Sequence, residues 1–224
     1  MQSLIVGVRT FDPPFDLVPQ LLKGAVVTLE ITVLTAALAF ALSFVVAFAR
    51  LAPFGVVRFT AGAYVEILRG TSAVVQLFYL FFILPAFGIS LGATTTAIAG
   101  LALNMSAYGS ELVRSALISV DKTQHEAANA LGLSKIQAYR LVIVPQAFVI
   151  MLPSFGNLLI ELIKATSLVS LITLTDLTFA GRQMVVTTGS TFEVWGLVLL
   201  MYFVIAYPLT WLVRIAERRA AKFR

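Results

Sequence analysis

Along this chain, uncharged apolar runs of near-bilayer length alternate with short polar stretches. Residues 31–49 pass without a charge, about 28 Å as a helix and enough to cross a hydrocarbon layer. Between Arg69 and Glu111 the uncharged run reaches 41 residues. That is too long for one span and enough for two, with a turn marked by Pro85, Gly88 and Gly92. Residues 141–160, which carry Pro145 and Pro153, and 194–213 are the remaining apolar runs. The pattern predicts an all-α integral membrane protein: a single transmembrane domain over 1–224 with five helices near 25–49, 62–87, 94–117, 138–164 and 193–215. An amphipathic piece over 55–69 leads into the second. Residues 1–22, with Arg9, Asp12, Asp16 and a Pro13-Pro14 pair, read as an irregular leader that lacks the basic start of a signal peptide.

The longest polar island, 123–145, reads TQHEAANALGLSKIQAYRLVIVP. Thr123 followed by Glu126 has the form of a capping box, so a short helix is expected over 124–132. Gly132 stands where a left-handed glycine would end it, and Ser134 with Gln137 forms a second capping box that starts a new helix. The plainest reading is a helical hairpin on a solvated face, with His125 solvated in its first turn. A DNA-binding helix-turn-helix has similar spacing. Here the second helix runs straight into the apolar segment LVIVPQAFVIMLP and has no freedom to lie in a groove, so no nucleic-acid partner is expected.

Composition sharpens this picture. Of the residues, 59% are hydrophobic and 12% charged, against roughly 25% charged in soluble domains. Twelve of the sixteen Lys and Arg residues flank one side of the spans: Arg50, Arg58, Arg69, Arg114, Lys122, Lys135, Arg140, Arg214, Arg218, Arg219, Lys222 and Arg224. The positive-inside rule then places the N-terminus outside and both the polar island and the C-terminus in the cytoplasm. The connection over 166–192 falls on the outer side, and its stretch 168–174 is apolar enough to dip back into the membrane.

Within the fourth span, Asn157, Glu161 and Lys164 fall at i, i+4 and i+7 on one helical face, with Ser167 beyond them. Polar groups at such depth face a protein interior or a water-filled path, which makes these four candidates for a substrate pathway or gate. The competing reading is a Glu161–Lys164 pair anchoring the helix at the interface. Glu30 and Glu111 sit nearer span ends and read as interfacial or packing groups. With one histidine and no cysteine, the chain offers no catalytic or metal centre. It has no G-x-x-x-x-G-K-[ST] loop either, so any ATP and Mg²⁺ would be bound by a partner.

The polar island resembles the signature of the permease subunits of ATP-binding-cassette importers: E-A-A, three residues, Gly, nine residues, I-x-L-P. Glu126, Ala127, Ala128 and Gly132 match, with Val142, Val144 and Pro145 at the corresponding distances. The stretches EILRGTSAVVQLFYLFF (66–82), AYGSELVRSAL (107–117), LGLSKIQAYRLVIVPQA (131–147) and LPSFGNLLIELIKATSLVSLITLTDLT (152–178) resemble the polar-amino-acid branch. Ser72 stands where that branch usually has Pro, and Ala165 where Asp often follows Lys. The first is expected to soften a helix start and the second to remove an acid near the gate. The run GNLLIELIKATSLVSLITLTDLTF is most similar to ectoine and hydroxyectoine permeases.

The resemblance implies a type I importer permease fold in a bacterial inner membrane. It implies ATPase subunits below, a second permease copy or a homologous permease beside it, and an extracytoplasmic solute-binding protein above. Glu126, Ala127, Ala128, Ala130, Gly132 and Leu133 would couple to the ATPase, and the chain would be a transport subunit and not an enzyme. The alternative from another class is an ion-coupled secondary carrier using Glu30, Glu111 and Glu161. An odd number of spans without visible internal repeats weighs against it. A non-transporting membrane scaffold is a third reading.

Overall fold

The computed structural model describes residues 18–220, with side chains to residue 215. Most of the leader expected over 1–22, with Arg9, Asp12 and Asp16, lies outside the described residues, as do the tail side chains of Arg218, Arg219, Lys222 and Arg224.

The described residues are helical throughout. The order is α1 (Val18–Arg50), α2 (Gly55–Gly70), α3 (Ala73–Phe78), α4 (Ala93–Ser119), α5 (Lys122–Ala130), α6 (Lys135–Ala138), α7 (Val144–Ala165), α8 (Leu177–Thr188) and α9 (Thr191–Ala220). Among the described residues, three helices are long and apolar enough to cross a membrane: Val18–Arg50, the continuous helix Lys135–Ile172 that contains α6 and α7, and Thr191–Ile215. A fourth candidate is the pair Gly55–Gly70 and Ala73–Phe87, bent by 105°.

The helix α4 has 27 residues, about 40 Å, but is less apolar because it is the centre of the bundle. Its buried face carries Thr96, Asn104, Ser106 and Ser110. α1 lies along it with a face of small residues, among them Thr28, Thr32, Thr35, Ala39, Ser43 and Ala47. Small side chains let two helices approach closely where lipid gives no hydrophobic drive between them. Gly109 is where the approach is tightest, since a Cβ there would fall on Ser43 Oγ. The Ser43 and Thr32 hydroxyls donate to their own i−4 carbonyls at 2.6 and 2.7 Å, so neither is left unsatisfied in the apolar seam.

The second expected helix, 62–87, is not one rod. Gly70, Thr71 and Ser72 break it, with Thr71 and Ser72 extended and Ser72 making no side-chain cap bond. The break frees carbonyls, and two amides collect them. Gln76 Nε2 donates to the Leu68 carbonyl at 2.9 Å and to Thr71 Oγ1 at 2.7 Å, while Asn104 Nδ2 donates to Leu68 O at 3.2 Å and to Gln76 Oε1 at 3.1 Å. A sharp bend is tolerated where such partners are built in.

Two heptapeptides of matching pattern, YLFFILP (79–85) and YRLVIVP (139–145), each form a π-turn just before their proline. A proline ring collides with the carbonyl four residues back, and widening the preceding turn relieves that collision. Leu84 N–H therefore bonds Tyr79 O, and Val144 N–H bonds Tyr139 O, with the helix continuing through both.

Candidate coupling surface and polar stripe

The polar island folds as two helices around a tight turn, but its start differs from the capping box expected of Thr123 and Glu126. Asp121 is the N-cap. Its carboxylate accepts from the Thr123 N–H at 2.9 Å and from Thr123 Oγ1 at 3.0 Å, so α5 begins at Lys122, two residues before the expected start. An anionic acceptor at the positive end of a helix outcompetes a neutral hydroxyl, and Thr123 becomes a donor to it. These two bonds, the backbone one first, hold the Asp121 carboxyl below its ordinary range.

The far end of α5 closes as expected. Gly132 has φ +73°. Leu133 N–H bonds Ala128 O at 3.1 Å and Gly132 N–H bonds Asn129 O at 2.9 Å, the paired bonds of a Schellman motif. Ser134 and Gln137 then make the reciprocal capping box: Ser134 N–H donates to Gln137 Oε1 at 2.9 Å and Gln137 N–H to Ser134 Oγ at 3.4 Å.

This hairpin buries only part of itself. Ala128 and Ala138 are covered by the chain, Leu133 is half-buried, and Glu126, Ala127, Ala130 and Gly132 are exposed. Leu131 is 78% exposed and Ile136 80%. Two branched aliphatics flanking the turn, together with the alanines, make a shallow apolar surface of the kind that marks a protein contact. Leu131 falls within the short helix expected to meet the ATPase, whereas sequence reasoning passed over Ile136; its apolar character inside a polar island was the available signal. His125 meets the Tyr139 ring edge-on at 5.8 Å and is half-buried, not fully solvated.

On α7, Asn157, Glu161 and Lys164 share one face, and all three are exposed. The helix buries the other side through Ala147, Met151, Leu162 and Ile163. Glu161 and Lys164 do not pair: the three ion pairs among the described residues all converge on Glu111. Ser167 lies in the first turn of the 3₁₀ segment Thr166–Ile172 and donates to the Lys164 carbonyl at 2.7 Å. The stretch 168–174 packs one side against the protein, with Val169 and Ile172 in the α1–α4 core and Leu171 and Thr173 exposed.

Of the two readings of Glu111, interfacial or packing, the structure shows the packing one. It pairs with Arg50 at the end of α1, with Arg69 at the end of α2 (3.6 Å) and with Arg114 on its own helix (3.1 Å). Arg69 also lies over the Tyr108 ring at 5.4 Å. One carboxylate thus ties the basic ends of two helices to α4. On the opposite side, α8 was not foreseen within the connection 166–192, although Asp176 and Gly189 bracket it as cap residues. Asp176 accepts from Phe179 and Thr178 N–H at 2.9 and 3.2 Å, and burial pushes its carboxyl above the ordinary range.

Among the described residues no group of three or more His, Asp or Glu could hold a metal. Compared with known families, residues 39–222 match the family described as "Binding-protein-dependent transport system inner membrane component". Over 208 residues the chain is 42% identical to a probable amino-acid ABC transporter permease protein of Sinorhizobium fredii, covering 90% of this chain and 87% of that one. It is 35% identical to the L-cystine transport system permease protein TcyL of Bacillus subtilis, with 92% and 90% covered. Identity to the glutamine transport system permease protein GlnP of Escherichia coli is 36%, with 90% and 93% covered. Among solved structures, an amino acid ABC transporter crystallised with histidines is 32% identical with a TM-score of 0.88, covering 94% of this chain and 99% of that chain. The inward-facing MetNI methionine transporter shares the fold, at 21% identity and a TM-score of 0.75 over 93% of this chain and 99% of that chain.

Proposed function

The chain belongs to the family of binding-protein-dependent transport inner membrane components, as a multi-pass amino-acid-type permease subunit that is not itself an enzyme, and we propose that it couples ATP hydrolysis by a partner to solute import. The observation that carries the proposal is the doubly capped hairpin continuous with α7. The exposed surface of Glu126, Ala127, Ala130 and Leu131, with the half-buried Leu133 beside it, docks into a partner ATPase, which binds ATP and Mg²⁺. Gly132 passes the displacement into α6 and α7, as expected of alternating access by rigid-body rocking.

Asn157, Glu161 and Lys164 support the second half of the reading. Two charges and an amide on an otherwise apolar helix are costly against lipid. A second copy of this chain, or a homologous permease, covers that face, and the stripe with Ser167 lines a wet pathway between the two. The cargo is a polar amino acid or an amino-acid-like compatible solute delivered by an external binding protein. Ectoine and hydroxyectoine, both zwitterions, are the finer assignment, supported by the 156–179 run.

Reconstitution with the ATPase and binding protein tests this directly. Uptake should require ATP and follow the solute preference of the binding protein. Glu161→Ala should change that preference or the leak without lowering the melting temperature. Uptake driven by an ion gradient in vesicles holding this chain alone would overturn the proposal.

A further inference from the structure

A cleft of about 430 Å³ lies on the basic end of the molecule, between the last turns of α1 and the start of the Lys135–Ile172 helix. It is lined by Phe48, Lys135, Ile136, Tyr139, Arg140 and Val144. Its two cations are exposed, and neither takes part in an ion pair among the described residues, all of which centre on Glu111. No acidic side chain lines the cleft. The remaining lining is apolar or aromatic, and the apolar surface continues beyond it, with Val45 one turn deeper on α1 and Leu141 both exposed.

An ammonium and a guanidinium over an apolar floor, at the level where two spans leave the hydrocarbon, complement an amphiphile with a phosphate head. We propose that this cleft binds one anionic phospholipid, with its phosphate held by Lys135 and Arg140 and its acyl chains running past Phe48, Val144 and Leu141. Charge-assisted bonds from Arg and Lys to phosphate are among the strong ones, and Tyr139 in the same lining carries a further hydroxyl donor. A neutral, zwitterionic lipid brings its own ammonium into the cationic cleft and is disfavoured. Because the cleft adjoins α5 through the His125–Tyr139 contact, a bound lipid braces the hairpin against the membrane surface.

The rival occupant is an acidic face of the ATPase. The test uses the intact transporter, permease with ATPase, in nanodiscs of phosphatidylcholine or of an equimolar mixture with phosphatidylglycerol. Lipid retained by the purified complex is then counted by native mass spectrometry. The wild type should keep phosphatidylglycerol in preference to phosphatidylcholine. Lys135→Gln with Arg140→Gln should weaken that retention roughly twenty-five-fold, at about a factor of five for each cation, while Arg140→Lys should largely preserve it. Arg58→Gln, which removes an exposed cation from α2, should leave it unchanged. Equal retention of the two lipids by the wild type would overturn the proposal. So would undiminished retention in the double variant, and loss of the ATPase in that variant with lipid unchanged would assign the cleft to the protein partner.

Discussion

Gln146 Nε2 donates a hydrogen bond to Gln124 Oε1 at 3.1 Å, tying the first turn of α5 to the first turn of α7 across the hairpin. The bond is exposed, so it contributes little to the fold, about 0.5–1.5 kcal/mol. Its position matters more, because it spans the joint through which the proposed stroke travels.

Gln146→Ala should therefore leave the melting temperature nearly unchanged and lower the solute moved per ATP hydrolysed. Gln124→Ala should do the same, and the double variant should be no worse than either single one, since one bond is removed once. Uptake and phosphate release measured in the same proteoliposomes would decide, and an unaltered ratio would rule out the link.

At Gly132 the backbone is left-handed, with nothing within 4 Å of where a Cβ would stand. A substitution there meets strain, not collision. Gly132→Leu should cost about 1–2 kcal/mol in the turn alone, insert normally, and uncouple hydrolysis from uptake. Asn visits this conformation more readily, so Gly132→Asn should retain most of the uptake. Equal behaviour of the two variants would show that the left-handed turn is irrelevant.

Removing the charge at Glu111 should loosen three helices together. Its side chain is 21% exposed and that of Arg50 16%, so the loss lies between those of surface and buried pairs, about 1–3 kcal/mol. Glu111→Gln should lower the melting temperature clearly. Arg114→Gln removes only a more exposed partner on the same helix and should have a smaller effect, both read by thermal unfolding in detergent.

For Asp176, the folded carboxyl lies above its unfolded value because burial disfavours the charge. Its contribution to stability is thus complete below the unfolded value and is lost as pH rises through the folded one. Stability of the wild type should decline just above the ordinary carboxylate range. Asp176→Asn keeps a capping acceptor and should flatten that decline. Asp176→Ala loses the cap and should cost about 1 kcal/mol at the acid end of the range, with the difference from the wild type narrowing as pH rises. Melting curves across the acidic range check all three.

The hairpin was readable because its signals are local. Gly132, Ser134 and Gln137 act within five residues of one another, and each does what its residue type suggests. Asp121 was missed for an equally local reason: a stronger acceptor stood two residues ahead of Thr123. The partners of Glu111 could not be read in the same way. Arg50 and Glu111 are 61 residues apart, and helix packing has to bring Arg50 and Arg69 to the carboxylate before its packing role can be told from an interfacial one.

Apolar length and the placement of Lys and Arg suffice to make this chain a helical membrane protein with a hairpin on its basic side, because bilayer thickness and backbone hydrogen bonding act on the chain whatever its packing. The 105° bend after Gly70 needed the third dimension, since it depends on Gln76 and Asn104 reaching the freed carbonyls from separate helices. So did the outward face of Asn157, Glu161 and Lys164. Helical spacing puts the three on one side, but only the packing of α1, α4 and α9 against the rest of α7 leaves that side uncovered.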